Sequence, residues 1–190
     1  MTSLRITEIF CSLQGESSLV GLPTVFVRLT GCPLRCGYCD TAYAFKGGES
    51  LELEIILDRV AAFGVQHVTV TGGEPLAQTS CHALLVALCD AGYRVSLETS
   101  GALDVAEVDS RVKRVMDIKT PSSGEVDRNL WSNLKLLVPD DEVKFVIGDR
   151  DDYEWSKGVV SEYSLASCCG VLFSPVYGVL EARTLADWIV

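Results

Sequence analysis

The chain has 190 residues, enough for one domain with a full core, and its 48% hydrophobic and 22% charged residues exclude a disordered composition. A formal net charge of −10 argues against a nucleic-acid surface, which needs clustered Lys and Arg. No stretch approaches the length of a membrane span and no export signal precedes the eight cysteines, so a reducing, cytoplasmic setting is expected, with thiols used as ligands or core residues.

In chain order, "TVFVRL" (24–29) reads as a short buried strand that runs straight into a cysteine-rich loop. "SLELEIILDRVAAFG" (50–64) predicts a helix with Leu53, Ile56, Leu57, Val60 and Ala61 on one face and Gly64 as its stop. "QHVTVT" (66–71) is a strand, and "TSCHALLVALCDAG" (79–92) a helix with Leu84, Leu85, Leu88 and Cys89 inward, ended by Gly92. "YRVSLE" (93–98) is a third strand. A short helical segment near 104–109 leads to a fourth, "RVKRVMDI" (111–118). "DRNLWSNLKLL" (127–137) reads as helix, "EVKFVI" (142–147) as strand and "RDDYEWSKGVVSEY" (150–163) as helix. "CGVLF" (169–173) is the sixth strand, and "EARTLADWIV" (181–190) closes the chain as a helix.

Strands alternating with helices predict βα units, hence a mainly parallel α/β sheet, either doubly wound or an incomplete barrel. No linker or long repeat divides it. The polar and glycine-rich motifs fall after successive strands: the cysteine loop, "TGGEP" (71–75), "ETSG" (98–101), "DIKTP" (117–121) and "SPVYG" (174–178). Loops at the C-terminal ends of parallel strands converge, so these motifs point to one shared site.

The loop carries Cys32, Cys36 and Cys39 as C-x3-C-x2-C. A structural zinc site closes with four ligands. The next cysteine, Cys81, lies on an apolar helix face, and His67 and His82 belong to no motif. Three thiolates suit an iron–sulfur cube with one iron left open, with a non-enzymatic zinc module as the alternative. Cys11, Cys81, Cys89, Cys168 and Cys169 are expected as small core residues, Trp131, Trp155 and Trp188 as packing residues, and "PDDE" (139–142) as a solvated loop.

The cysteine spacing, with Tyr38 before the last thiol and "TGGEP" beyond the next strand, resembles the radical S-adenosylmethionine (SAM) superfamily. "SLQGES" (12–17), "FVRLTGCPLRCGYCDTAYAF" (26–45), "VTGGEP" (70–75), "ETSG", "DIKTP" and "VKFVI" (143–147) together are similar to the 7-carboxy-7-deazaguanine synthase family, over nearly the whole chain. The resemblance implies an incomplete (β/α)6 barrel with an N-terminal strand extension. Its parts would be a substrate-loop segment at 1–23, a core at 24–176 and a C-terminal helix at 177–190. It implies a lyase that converts 6-carboxy-5,6,7,8-tetrahydropterin to 7-carboxy-7-deazaguanine with loss of ammonia. Such a lyase uses a [4Fe–4S] cluster, SAM and Mg²⁺, forms homodimers and takes electrons from a flavodoxin or ferredoxin.

By the same resemblance, Cys32, Cys36 and Cys39 hold the cluster, and Tyr38, Cys39 and Asp40 line SAM near its adenine. Gly73, with Glu74 beside it, takes the methionine amino group. Ser100, Asp117 and Lys119 complete that site, and Ser174, Pro175 and Val176 close it. Leu13, Gln14, Gly15 and Glu16 form the substrate loop, Arg28 faces the substrate carboxylate, and Thr71 touches the substrate. Thr41 is implied as the Mg²⁺ ligand, whereas "CDT" alone suggests that Asp40 or Thr41 caps the following turn. A glycyl-radical activase shares the cysteine spacing and "GGEP", but Gln14–Glu16, Arg28 and Thr41 suit a small anionic substrate better. The family pattern continues past "LADWI" into a basic, aromatic segment, while this sequence ends at Val190. The pocket is therefore expected to be less enclosed, or closed by a partner subunit.

Overall fold

The computed structural model describes residues 2–190. Its strands are β1 (Ser3–Leu13), β2 (Pro23–Leu29), β3 (Glu49–Glu52), β4 (His67–Gly72), β5 (Arg94–Thr99), β6 (Lys113–Ile118), β7 (Glu142–Ile147) and β8 (Gly170–Pro175). They form one open sheet in the order β3-β1-β2-β4-β5-β6-β7-β8. From β2 to β8 all neighbours are parallel, and β1 runs antiparallel to both β2 and β3. The six parallel strands are those read from the sequence, and the open sheet is the expected incomplete barrel with its N-terminal strand extension.

Side chains alternate across a strand, and here the alternation separates core from site. Val25, Val27 and Leu29 of β2, Val68 and Val70 of β4, Leu97 of β5, and Val143, Phe145 and Ile147 of β7 are fully buried on one face. They pack with Ile56 and Val60 of helix α1 (Leu53–Ala61) and with Leu84, Leu85 and Leu88 of α2 (Cys81–Asp90). Between those residues stand Arg28, Thr69, Thr71, Ser96, Glu98 and Lys144, which point to the other face. The register sets Phe26 beside Thr69 and Thr69 beside Ser96, and the hydroxyls of that last pair lie 2.8 Å apart. Helices α3 (Arg150–Glu162) and α4 (Ala182–Ile189) cover β7 and β8 through an aromatic cluster. In it Trp131 stacks on Tyr163 at 5.3 Å and Trp188 tilts against Tyr153 at 5.7 Å, so the tryptophans pack as expected.

The structure corrects several local expectations. The opening residues of the predicted 50–64 helix form β3 instead, edge to edge with β1, and Ala61 is exposed. No helix forms over 104–109. Asp104 and Asp109 accept from the backbone N–H of Ala106 and Arg111, both at 2.9 Å, and such Asx turns compete with helix. The 127–137 stretch is two 3₁₀ segments, Val126–Arg128 and Trp131–Leu136, because buried Asn133 bonds to the backbone of Gly101, Leu103 and Val105. Two of the crossovers therefore lack an α-helix. Cys11, opposite Val25 near the end of β1, is exposed, not core. Cys81 is buried, and Cys89, Cys168 and Cys169 are half-buried. Among the described residues no helix is long and apolar enough to cross a membrane.

Candidate active site

A cavity of about 990 Å³ lies against the polar face of the sheet, and every residue singled out from the sequence borders it except Glu74. Cys32, Cys36 and Cys39 meet it from the loop after β2, and all three are free thiols. Burial first, and then the neighbouring thiols and acids, push Cys32 and Cys36 above the ordinary thiol value, so both stay protonated until a metal displaces the proton. No trio of His, Cys, Asp or Glu among the described residues is arranged for a single metal ion. Three soft thiols on one loop, close enough to feel one another's charge, suit a multi-iron cluster better than mononuclear zinc.

The loop is fixed from two sides. Gly37 N–H donates to the Ser123 carbonyl at 2.9 Å, and Glu74 N–H donates to the Gly31 carbonyl at 2.8 Å. The second bond seats the "TGGEP" turn directly against the thiols. A Cβ on Gly73 would lie 2.4 Å from the Gly31 oxygen and 2.7 Å from the Cys32 Cβ, so only glycine fits this approach.

Glu74 has a different place from the one expected. Its side chain is fully buried and accepts from Leu76 N–H at 3.0 Å, Thr99 Oγ1 at 3.0 Å, Ser100 N–H at 2.7 Å and Ser100 Oγ at 2.5 Å. Both oxygens are used within the protein, and none of its surface is offered to the cavity. The carboxylate ties the end of β4 to the end of β5 and so positions Ser100.

On the β6 side, Lys119 Nζ pairs with Asp117 Oδ2 at 2.6 Å. The Lys119 backbone is clamped by Asn129, with both bonds at 2.8 Å. Burial would lower the Lys119 value, but the Asp117 carboxylate outweighs it and holds the ammonium charged. Asp117 Oδ1 and Tyr38 OH are buried without a hydrogen-bond partner. Buried polar atoms are rarely left unpaired, so these two, both at the cavity wall, mark where a polar ligand belongs. Burial, followed by Asp117, pushes Tyr38 up to about 12, which keeps it a neutral donor.

At the other end, Arg28 faces the cavity between the rings of Phe10 and Tyr43, at 6.0 and 5.9 Å. Its Nε donates to Glu8 Oε1 at 2.7 Å, and Tyr43 OH donates to the same oxygen at 2.8 Å. Gln14 is buried, and its Nε2 donates to Thr69 Oγ1 at 3.2 Å and Glu98 Oε1 at 3.3 Å. Thr71 Oγ1 donates to Glu98 Oε2 at 2.9 Å, which leaves the hydroxyl oxygen as an acceptor. Thr41 precedes a 3₁₀ turn (Ala42–Phe45) but makes no capping bond, and its hydroxyl donates to Asp40 Oδ1 at 2.8 Å. The capping role suggested by "CDT" is therefore absent. Ser174, Pro175 and Val176 lie at the end of β8, where Val176 N–H donates to the Ile147 carbonyl at 2.9 Å.

Glu98 and Lys144 also border the cavity, and neither is given a role of its own in the sequence reading, although Glu98 opens the "ETSG" motif. Burial, then Glu16, raises Glu98 above the ordinary carboxylate range, against the pull of Lys144 and of bonds from Thr71 and Gln14. Lys144 Nζ lies 2.5 Å from Glu16 Oε2. Both stand where an apolar strand pattern breaks at every second residue, "SLE" and "VKF", and that alternation was the available signal.

A family model described as the radical SAM superfamily matches residues 26–164. The 7-carboxy-7-deazaguanine synthase of Chlorobaculum tepidum is 46% identical over 189 residues, 98% of this chain and 86% of that protein. The protein of the same name from Koribacter versatilis is 39% identical, over 98% of this chain and 89% of its own length. The crystal structure of QueE from Escherichia coli matches in fold with a TM-score of 0.82 at 23% identity, over 99% of this chain and 90% of that one.

Proposed function

The chain belongs to the 7-carboxy-7-deazaguanine synthase family of radical SAM enzymes, and we propose that it converts 6-carboxy-5,6,7,8-tetrahydropterin to 7-carboxy-7-deazaguanine and ammonia. It is a radical SAM lyase of deazapurine biosynthesis whose cofactors are a [4Fe–4S] cluster and SAM. This kinship replaces the activase and zinc-module alternatives. When bound at Cys32, Cys36 and Cys39, the cluster would with SAM supply the radical chemistry of hydrogen-atom abstraction.

The observation that carries the substrate reading is the layout of charge in the cavity. Arg28 stands at one end, a guanidinium already oriented by Glu8 and flanked by rings, with its remaining N–H groups free to take a carboxylate. Glu98, Glu16 and Thr71 line the wall beyond it as acceptors for the N–H-rich edge of a pterin. Leu13 and Gly15 shape the mouth of that end. Toward the cysteines, Tyr38, Asp40, Gly73, Ser100, Asp117, Lys119 and the 174–176 segment enclose the space for SAM. The unpaired Tyr38 hydroxyl and Asp117 oxygen, on two residues of this wall, support the reading that a polar ligand belongs here. Thr41 also borders the cavity, and in this reading its hydroxyl oxygen is one ligand to Mg²⁺, the rest coming from water and substrate.

The remaining parts of the proposal are a single domain, a homodimer, a flavodoxin or ferredoxin as electron donor and a cytoplasmic setting. The test is anaerobic turnover with reductant, SAM, Mg²⁺ and the carboxytetrahydropterin. The deazaguanine should form without one-for-one accumulation of deoxyadenosine. No product from protein with a demonstrably intact cluster would overturn the substrate assignment.

A further inference from the structure

The β1–β2 connection crosses the polar face of the sheet as a strap, tethered at alternate residues. Its neck is closed by Gln14 N–H to the Leu22 carbonyl at 2.9 Å and Gly21 N–H to the Gln14 carbonyl at 2.8 Å. Within it, Gln14 reaches Thr69 of β4 and Glu98 of β5, while Glu16 reaches Lys144 of β7 at 2.5 Å. Ser18 goes furthest. Its N–H donates to both oxygens of Glu142, at 3.1 and 3.3 Å, and its hydroxyl accepts from Lys113 Nζ at 3.0 Å. Lys113 in turn pairs with Glu142 at 2.9 Å, and the Glu142 side chain is only 4% exposed. Between the outer two tethers, Ser17 adopts a left-handed conformation, φ +63°. A residue with a side chain holds that backbone only where its surroundings enforce it.

We propose that Glu142 is a positioning residue: it anchors Ser18 from outside the cavity and so keeps Gln14 and Glu16 in place to bind the substrate. The inference rests on the reading of residues 13–16 as substrate-binding. Glu142 begins β7 and does not border the cavity, so it does not touch the substrate itself, and its Ser18 contact links it to the strap. A buried carboxylate that receives an ammonium and a loop N–H is a strong anchor, because removing it takes the acceptor from Ser18 N–H and the counter-ion from Lys113, which keeps only its bond to the Ser18 hydroxyl. The tether and the Glu16–Lys144 pair act together. Ser18 sets the reach of the strap, and Glu16 then meets an ammonium that Asp117, Glu16 and Glu98 keep charged despite burial. With the strap loose, Glu16 would swing into water, where it is already 47% exposed.

The experiment compares Glu142→Ala with Glu142→Gln, which keeps the shape and one acceptor and serves if the alanine variant does not fold. Hydrogen exchange of amides 15–20 in the cluster-loaded whole chain, without substrate, should accelerate by about tenfold or more in the alanine variant and by less in the glutamine variant. The KM for the carboxytetrahydropterin should rise by about tenfold with kcat within about twofold, since the chemistry at the cysteines is untouched. Unchanged exchange overturns the tether, and faster exchange with KM unmoved overturns its positioning role. The exchange needs no substrate. If wild-type protein makes no product, the substrate reading fails while the exchange still decides on the tether.

Discussion

The Cα of Gly73 is pressed against Cys32 so closely that an added Cβ would stand 2.7 Å from the Cys32 Cβ and 2.4 Å from the Gly31 oxygen. The turn after β4 and the cysteine loop after β2 are therefore one unit, and a change at 73 must move the thiols. Gly73→Ala should lower iron content and cluster absorbance after reconstitution by several-fold. Gly15→Ala is the control: a Cβ there meets nothing within 4 Å, so its cluster should load normally. Equal loading of the two variants would refute this coupling.

Glu74 acts through Ser100 and the end of β5, so its removal should show first as lost stability. Glu74→Ala leaves the N–H groups of Leu76 and Ser100 and the hydroxyls of Thr99 and Ser100 without their acceptor, and should cost about 3 kcal/mol or more in denaturant unfolding. Glu74→Gln keeps one acceptor oxygen and should cost less. A wild-type midpoint in the alanine variant would contradict the buried geometry.

Glu98 sets a pH dependence of known sign. Burial first, with Glu16 adding to it, places its folded value above the 4.5 of an ordinary glutamate, so the folded chain holds that proton more tightly than the unfolded chain. Its contribution to stability is complete below the unfolded value and is lost as pH rises through the folded one. Glu98→Gln removes this loss. Relative to wild type, the variant should therefore gain stability as pH rises from about 4 to about 7. Denaturant melts at stepped pH read the difference, and a difference that stays flat with pH, or shrinks, counts against the assignment.

Thr41 makes no cap, so Thr41→Ala should leave stability within about 0.5 kcal/mol of wild type. If the hydroxyl is a Mg²⁺ ligand, the Mg²⁺ concentration for half-maximal turnover should rise by about tenfold. An unchanged Mg²⁺ titration would remove Thr41 from the metal site and leave the cluster assignment as it is.

The parallel strands and the thiol triplet were legible in the sequence because both are local. Strand identity follows from short apolar runs such as "TVFVRL", and cluster chemistry from three cysteines within eight residues. The helices expected at 104–109 and 127–137 do not form, because polar side chains there bond to backbone and divert it. Asp104 and Asp109 do so within their own turn, while Asn133 does so only once distant loops meet it. Glu74, Glu98 and Lys144 needed the tertiary structure in a stronger sense. A carboxylate beside "TGG" looks like a ligand contact until β5 arrives to claim both its oxygens. Lys144 is one polar residue in a strand until the strap brings Glu16 to it across 128 positions of sequence. The sequence alone determined which chemistry the chain carries. Which charges face the cavity, and which are consumed in building it, was decided only when the sheet set its polar face against the strap.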